Sequence, residues 1–212
     1  MFTLIKREIY DNIAYFYGSI IFLLMVAGTA IFITYYSSDM EDAAGALISI
    51  FVIPLIIVFM FGAMAMGVSQ MYMDRSRKVT SFLSTLAVTR GEILTARISA
   101  GLLAILLFFI PLIIITAVLY PFFTPPMPFY RGVLFDIYFI EILLTLANYC
   151  IGLQTGWTTG RLLPMLGGLL LACTFVTIVI IKGFELQLSI LLILFIAASL
   201  VRIRDKFLTT SL

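Results

Sequence analysis

Charged residues are missing from six long stretches of this chain, and those gaps set its expected architecture. Asn12 to Ser38, Ala43 to Met73 and Ile98 to Tyr130 run for 27, 31 and 33 residues without Asp, Glu, Lys or Arg. Each holds one membrane-spanning helix of about 20 residues with some excess, and none is long enough for two. Ile142 to Gly160 (19 residues) and Leu162 to Ile181 (20 residues) follow, and Leu186 to Val201 closes the series with 16. At about 1.5 Å per residue the last covers roughly 24 Å, so it draws on Gly183 and Phe184 or on a snorkelling Arg202 to span. The pattern predicts an all-α membrane protein with six transmembrane helices, near 13–37, 45–70, 98–120, 137–158, 162–181 and 184–202, in one domain over 1–212.

Local punctuation agrees with that map. Thr124-Pro125-Pro126-Met127-Pro128 cannot be helical and marks a short, stiff connection. Pro54 and Pro111 fall inside spans two and three, where each predicts a kink. Pro164 opens span five, where a missing N–H does little harm. No internal repeat or linker divides the chain. The N-terminus MFTLIKREIYDNIAYF is not a cleavable signal, because its charged region includes Glu8 and Asp11 and its apolar run is too long; the first span is kept.

Loop charge predicts the orientation. The first loop holds Asp39, Glu41 and Asp42 without a base, the third only Arg131 and the fifth only Lys182. The other eleven bases sit before span one (Lys6, Arg7), between spans two and three (Arg75, Arg77, Lys78, Arg90, Arg97), after span four (Arg161) and after span six (Arg202, Arg204, Lys206). Eleven against two puts both termini in the cytoplasm.

Composition narrows the chemistry. Hydrophobic residues are 63% of the chain and charged residues 11%, with a mean hydropathy of +1.18. A soluble domain of this size could not hide so much apolar surface, so the lipid bilayer is the expected solvent. A net charge of +2 is too small to suggest nucleic acid. Cys150 and Cys173 lie in apolar runs as small space-filling residues, and the absence of histidine removes the commonest base and the commonest zinc ligand. No metal site is expected. Asp136 and Glu141 are the acids expected at or in the membrane, at the outer entry to span four, where an acid is costly and by default suggests function. An interfacial segment over 131–140 would instead solvate Asp136 harmlessly. The two acids lie roughly 140° apart on a helix, so they do not converge as a hydrolytic pair would.

The segment MYMDRSRKVTSFLSTLAVTRGEILTAR, Met71 to Arg97, is the most informative loop. Val79, Phe82, Leu83 and Leu86 fall at i, i+3, i+4 and i+7, while Thr80, Ser81, Ser84 and Thr85 make a polar, uncharged opposite face. Such a helix can lie in lipid headgroups with Arg75, Arg77 and Lys78 on anionic lipid, or seat in the groove of a partner. Bases gathered ahead of the helix, rather than along its polar face, favour the partner. Phe2, Ile5, Ile9 and Ile13 likewise line one face of the N-terminus, which is either an interface helix or a plain extension of span one. Gly152, Gly156 and Gly160, spaced by four, allow close helix approach within the chain or between copies.

The run from Asp74 to Arg97 resembles the loop between spans two and three of ABC-2 type transporter permeases. That family has an acidic and basic start, a Gly-Thr, a Leu-Leu pair, a Pro-Val-Ser-Arg-like turn and a Glu-Ile-Leu before Gly-Lys. Here Val79 stands where the family often has Gly, Ala87 where it often has Pro, and Ala96-Arg97 where it often has Gly-Lys. The likeness covers the whole topology, with motif agreement confined to this loop and the N-terminus. It implies that Thr80 to Leu86 is a cytoplasmic coupling helix, with Thr80, Phe82, Leu83, Leu86, Arg90 and Glu92 meeting an ABC ATPase subunit. It further implies an N-terminal interface helix, a homodimer or heterodimer of permeases, and a bacterial cytoplasmic (inner) membrane. The chain has no GxxxxGK[ST] loop, so ATP and Mg belong to the partner ATPase, and this chain binds no cofactor and has no catalytic residue. The activity implied is export or mechanical work across the membrane. The spans carry Phe, Leu, Ile and Met without a charged lane, which suits a lipid-like, peptide or other amphipathic cargo. The alternative is a membrane assembly, scaffold or small channel protein not driven by ATP.

Overall fold

A computed structural model of the chain describes residues 2–36, 56–72, 89–123, 128–157, 162–183 and 186–209. Among the described residues there are seven helices and no strand: α1 (Phe2–Asp11), α2 (Ile13–Tyr36), α3 (Ile56–Tyr72), α4 (Arg90–Phe123), α5 (Pro128–Gly156), α6 (Leu162–Lys182) and α7 (Leu186–Thr209). Of these, α4 to α7 are long and apolar enough to cross a membrane. The α1–α2 pair, bent by 70°, makes a fifth if it is counted as one span. The helix α3 is apolar with 17 residues, and the remainder of the second expected span, Pro54 included, lies outside the described residues. The expected coupling helix, with Thr80, Phe82, Leu83 and Leu86, lies outside them too, as does Gly160.

Helices are the natural form for such a sequence, because hydrocarbon offers backbone groups no partner beyond the segment itself. Hydroxyl side chains in the helices follow the same rule by turning back on their own backbone. Ser19 donates to the Tyr15 carbonyl at 2.9 Å, Thr145 to Glu141 at 2.8 Å, and Thr174 to Leu170 at 2.8 Å. The helix α6 stops at Gly183, whose φ of 74° suits glycine and whose N–H reaches the Val179 carbonyl at 2.9 Å.

Packing centres on α3, which is apolar on two sides. Phe59, Ala63 and Met66, at i, i+4 and i+7, join a core with α2, α4, α5 and α7. Ile56, Met60 and Met64, at i, i+4 and i+8, join a second core with α5, α6 and α7. In the first, Phe59 stacks on Phe108 with ring centroids 3.9 Å apart, and Phe109 meets Phe108 edge-on at 5.1 Å. The helix α4 touches α1, α2, α5 and α7, while α6 packs against α5 and leaves Leu166, Leu170, Ile180 and Ile181 exposed. Those outward side chains are what a bilayer would cover.

Two of the three spaced glycines are used inside the chain. A Cβ on Gly152 would strike the Met64 carbonyl, and one on Gly156 would come within 2.7 Å of the Met71 Cβ and 2.8 Å of the Val68 carbonyl. They form the seam between α3 and α5, a contact that the absence of side chains makes possible.

The helices overrun the charge-free stretches that announced them. α4 starts at Arg90 rather than near 98, α5 at Pro128 rather than near 137, and α7 continues to Thr209 rather than stopping near 202. A charge ends the part of a helix that can sit in hydrocarbon but does not end the helix; Ile203 and Phe207 keep α7 folded by burying against the bundle.

Replacing Gly152 by Leu should lower the thermal midpoint in detergent by an amount corresponding to roughly 1–3 kcal/mol of overpacking, or prevent folding. Gly62→Ala, where an added Cβ meets nothing within 4 Å, should not lower the midpoint, because alanine also suits a helix interior better than glycine.

Candidate functional site

The end of the bundle that carries α1 and the last turns of α7 gathers the buried polar chemistry. There α4 begins with a reciprocal cap. The Thr89 N–H donates to Glu92 Oε2 at 2.9 Å, the Thr89 hydroxyl donates to the same oxygen at 3.0 Å, and the Glu92 N–H returns to Thr89 Oγ1 at 3.3 Å. Those donors hold the Glu92 carboxyl below its usual range. Glu92 is thus occupied in starting α4, and Arg90 stands in the same first turn; both belong to the long helix rather than to a separate short one.

Arg97 lies two turns further on and only 3% exposed. Its Nε meets Oε1 of Glu8, from α1, at 3.3 Å, and its guanidinium lies 5.9 Å over the ring of Phe207 from α7. Phe207 is itself met edge-on by Trp157, with centroids 5.6 Å apart. Asn12 completes the α1 side by donating from Nδ2 to the Glu8 carbonyl at 2.9 Å, where the chain turns through 70° into α2. Burial raises the Glu8 carboxyl above its ordinary 4.5, and the pull of Arg97 opposes that shift without cancelling it.

Beneath the ion pair a second set of bonds ties three helices. The Tyr149 hydroxyl of α5 donates to Gln70 Oε1 of α3 at 2.7 Å and lies 3.2 Å from the Arg97 carbonyl of α4. Its ring fills the space left by Gly101, where a Cβ would collide with it. Nearer the other end, Thr116 and Tyr138 share a hydrogen bond at 2.6 Å between α4 and α5.

The acids singled out from the sequence do not join this knot. Asp136 is exposed near the start of α5. Glu141 is partly buried one turn on, and its Oε2 finds no hydrogen-bond partner among the described residues. Asn148, two turns further along α5, is fully buried with both amide atoms in the same position. Among the described residues no group of three metal-binding side chains is close enough to hold an ion.

Sequence reasoning passed over Glu8, Gln70, Arg97 and Tyr149 as site residues. One signal was available: Arg97 is the last charge before 33 charge-free residues, so it must sit where the membrane begins. The helix α1 stands as an element of its own, bent by 70° from α2, and its buried contact with the bundle is polar. Phe2, on its apolar face, is 89% exposed, and the side chain that α1 buries is Glu8. Ile5 and Ile9 on that face are only half-buried, and the acid takes the buried contact because Arg97 lies opposite.

The arrangement contains no nucleophile with a neighbouring base. What it can do is transmit displacement, since one pair of side chains holds α1 to α4, and Phe207 of α7 packs over that pair. Searches among family models, curated proteins and solved structures find no match to this chain.

Replacing Arg97 by Ala leaves Glu8 buried without its partner and should cost about 3–5 kcal/mol, read as loss of thermal midpoint in detergent. The pH dependence follows from the sign of the Glu8 shift. A folded-state pKa above 4.5 gives stability that is fully present below 4.5 and is lost as pH rises through the raised value. The midpoint of the native protein should therefore rise on acidification through that window, relative to Glu8→Gln, which removes the titration.

Proposed function

We propose that this chain is the membrane-spanning subunit of an ABC-2 type ABC transporter, with its basic end in the cytoplasm and its ATPase on a separate polypeptide. The observation that supports this most is the Glu8–Arg97 pair. It joins the N-terminal helix to α4 immediately after the 73–88 segment, which connects α3 to α4 and contains the expected coupling helix. A push on that segment acts on α3 and α4 directly. The ion pair makes α1 follow α4, and the glycine seam between α3 and α5 makes α5 follow α3.

In this reading two ATPase subunits close on ATP and Mg, the coupling helices move with them, and a dimer of six-span subunits opens toward the far side. The chain makes and breaks no covalent bond. Its Phe, Leu, Ile and Met-rich interior surfaces favour an amphipathic cargo or mechanical work on an outer accessory protein.

The test is co-purification from native membranes. The wild-type chain should bring down a polypeptide carrying a GxxxxGK[ST] loop, together with ATPase activity. Phe82→Asp combined with Leu86→Asp should lose both while remaining inserted in the membrane. An inserted double variant that retains the ATPase would refute the coupling role.

A further inference from the structure

Between α5, α6 and α7, at the same basic end, lies a cleft of about 320 Å³. Phe195, Arg202 and Lys206 line its α7 wall, and at about 100° per residue they fall within roughly 40° of one another on that helix. Arg202 and Lys206 are exposed, whereas Ile203 and Phe207, further round the helix, are buried in the bundle. Gln154 of α5 adds an amide near the same level, and Gly167 and Leu171 of α6 form the opposite wall. Among the described residues no carboxylate lines the cleft.

Polarity changes with depth. Phe195 lies seven residues from Arg202 along α7, about 10 Å deeper by helical rise. The cleft thus has a doubly cationic mouth and an apolar floor, separated by the distance between a headgroup phosphate and the upper part of its acyl chains. A Cβ on Gly167 would meet nothing within 4 Å, so the space before it is open.

We propose that this cleft binds an anionic phospholipid from the leaflet at the basic end. Arg202 and Lys206 hold the phosphate, Gln154 donates to a headgroup oxygen, and an acyl chain passes Gly167 to rest on Leu171 and Phe195. Basic pockets between membrane helices recognise acidic headgroups in this way. A zwitterionic choline lipid would place its ammonium against two cations, and none of the described lining residues is an acid, so the site discriminates by charge. The apolar floor favours a lipid over a soluble anion. The inference needs only that these helices stand in a bilayer, and it survives the failure of the transporter reading.

Trp157, the only tryptophan in the chain, also lines the cleft and reports on it directly. The probes are phosphatidylglycerol brominated high on its acyl chains and the phosphatidylcholine with the same chains, titrated into the full-length protein in detergent while Trp157 fluorescence is followed. Phosphatidylglycerol should quench on the order of 30-fold more tightly than phosphatidylcholine, as two surface cations imply. Arg202→Gln with Lys206→Gln should abolish the preference while leaving quenching by phosphatidylcholine as it was. Gly167→Leu should fill the cleft and weaken quenching by both lipids; because an added Cβ meets open space, the thermal midpoint should hold. Equal quenching by the two lipids would mean annular contact only and overturn the proposal, as would a preference that survives loss of both cations or quenching untouched by Gly167→Leu. Displacement of the lipid by inorganic phosphate alone would assign the basic pair to a soluble anion and overturn it as well.

Discussion

Arg97 carries a full charge at the place where the long apolar part of α4 begins, and almost none of it reaches solvent. A charge so placed must be answered from within the protein. Glu8 answers it from α1, and several features of the basic end follow. Reaching Arg97 requires α1 to turn away from the axis of α2, which it does through 70° at Asn12. The ring of Phe207 covers the guanidinium, so α7 has a reason to remain helical past the last residue that could lie in hydrocarbon. Trp157, at the end of α5, closes against that ring. One ion pair thus organises the ends of four helices.

A buried pair of this kind is a poor source of stability, because desolvation consumes most of what the attraction returns. Burial shifts the Glu8 carboxyl upward despite its partner, which is the mark of that balance. Its value lies in direction. Apolar contacts between two helices tolerate sliding, whereas a guanidinium and a carboxylate set the register and orientation of α1 on α4. The Tyr149 hydroxyl works in the same sense deeper in the bundle, tying α5 to Gln70 of α3 and approaching the α4 backbone.

Away from that end the bundle is held by shape. Between helices in lipid the hydrophobic effect supplies little drive, and close packing must take its place. The α3–α5 seam achieves this with Gly152 and Gly156, which admit the backbone of Met64 and Val68 where any side chain would collide. The stacked rings of Phe59 and Phe108 do the same between α3 and α4. Moving α3 therefore means moving two neighbours.

The spacing of charges along the chain was enough to announce long apolar helices and to locate α2, α6 and the heart of α4, α5 and α7, because a bilayer penalises charge wherever it falls. The spaced glycines were equally visible as a close-packing surface. Their partner was not, since glycine suits contact within a chain and contact between chains alike. The helices run beyond the expected spans for a related reason: the Thr89–Glu92 cap and the burial of Ile203 and Phe207 extend them through residues that hydropathy counts as loop. Least legible was the pairing of Glu8 with Arg97, 89 residues apart. Periodicity placed Phe2, Ile5, Ile9 and Ile13 on one face of α1 without saying what that face meets, and in a membrane an apolar face can turn to lipid and leave the protein contact to an acid. Hydropathy ranks residues by their cost in oil and so determines which segments are helices; which charge answers which, and which oily face meets protein rather than lipid, is decided only when the helices are assembled.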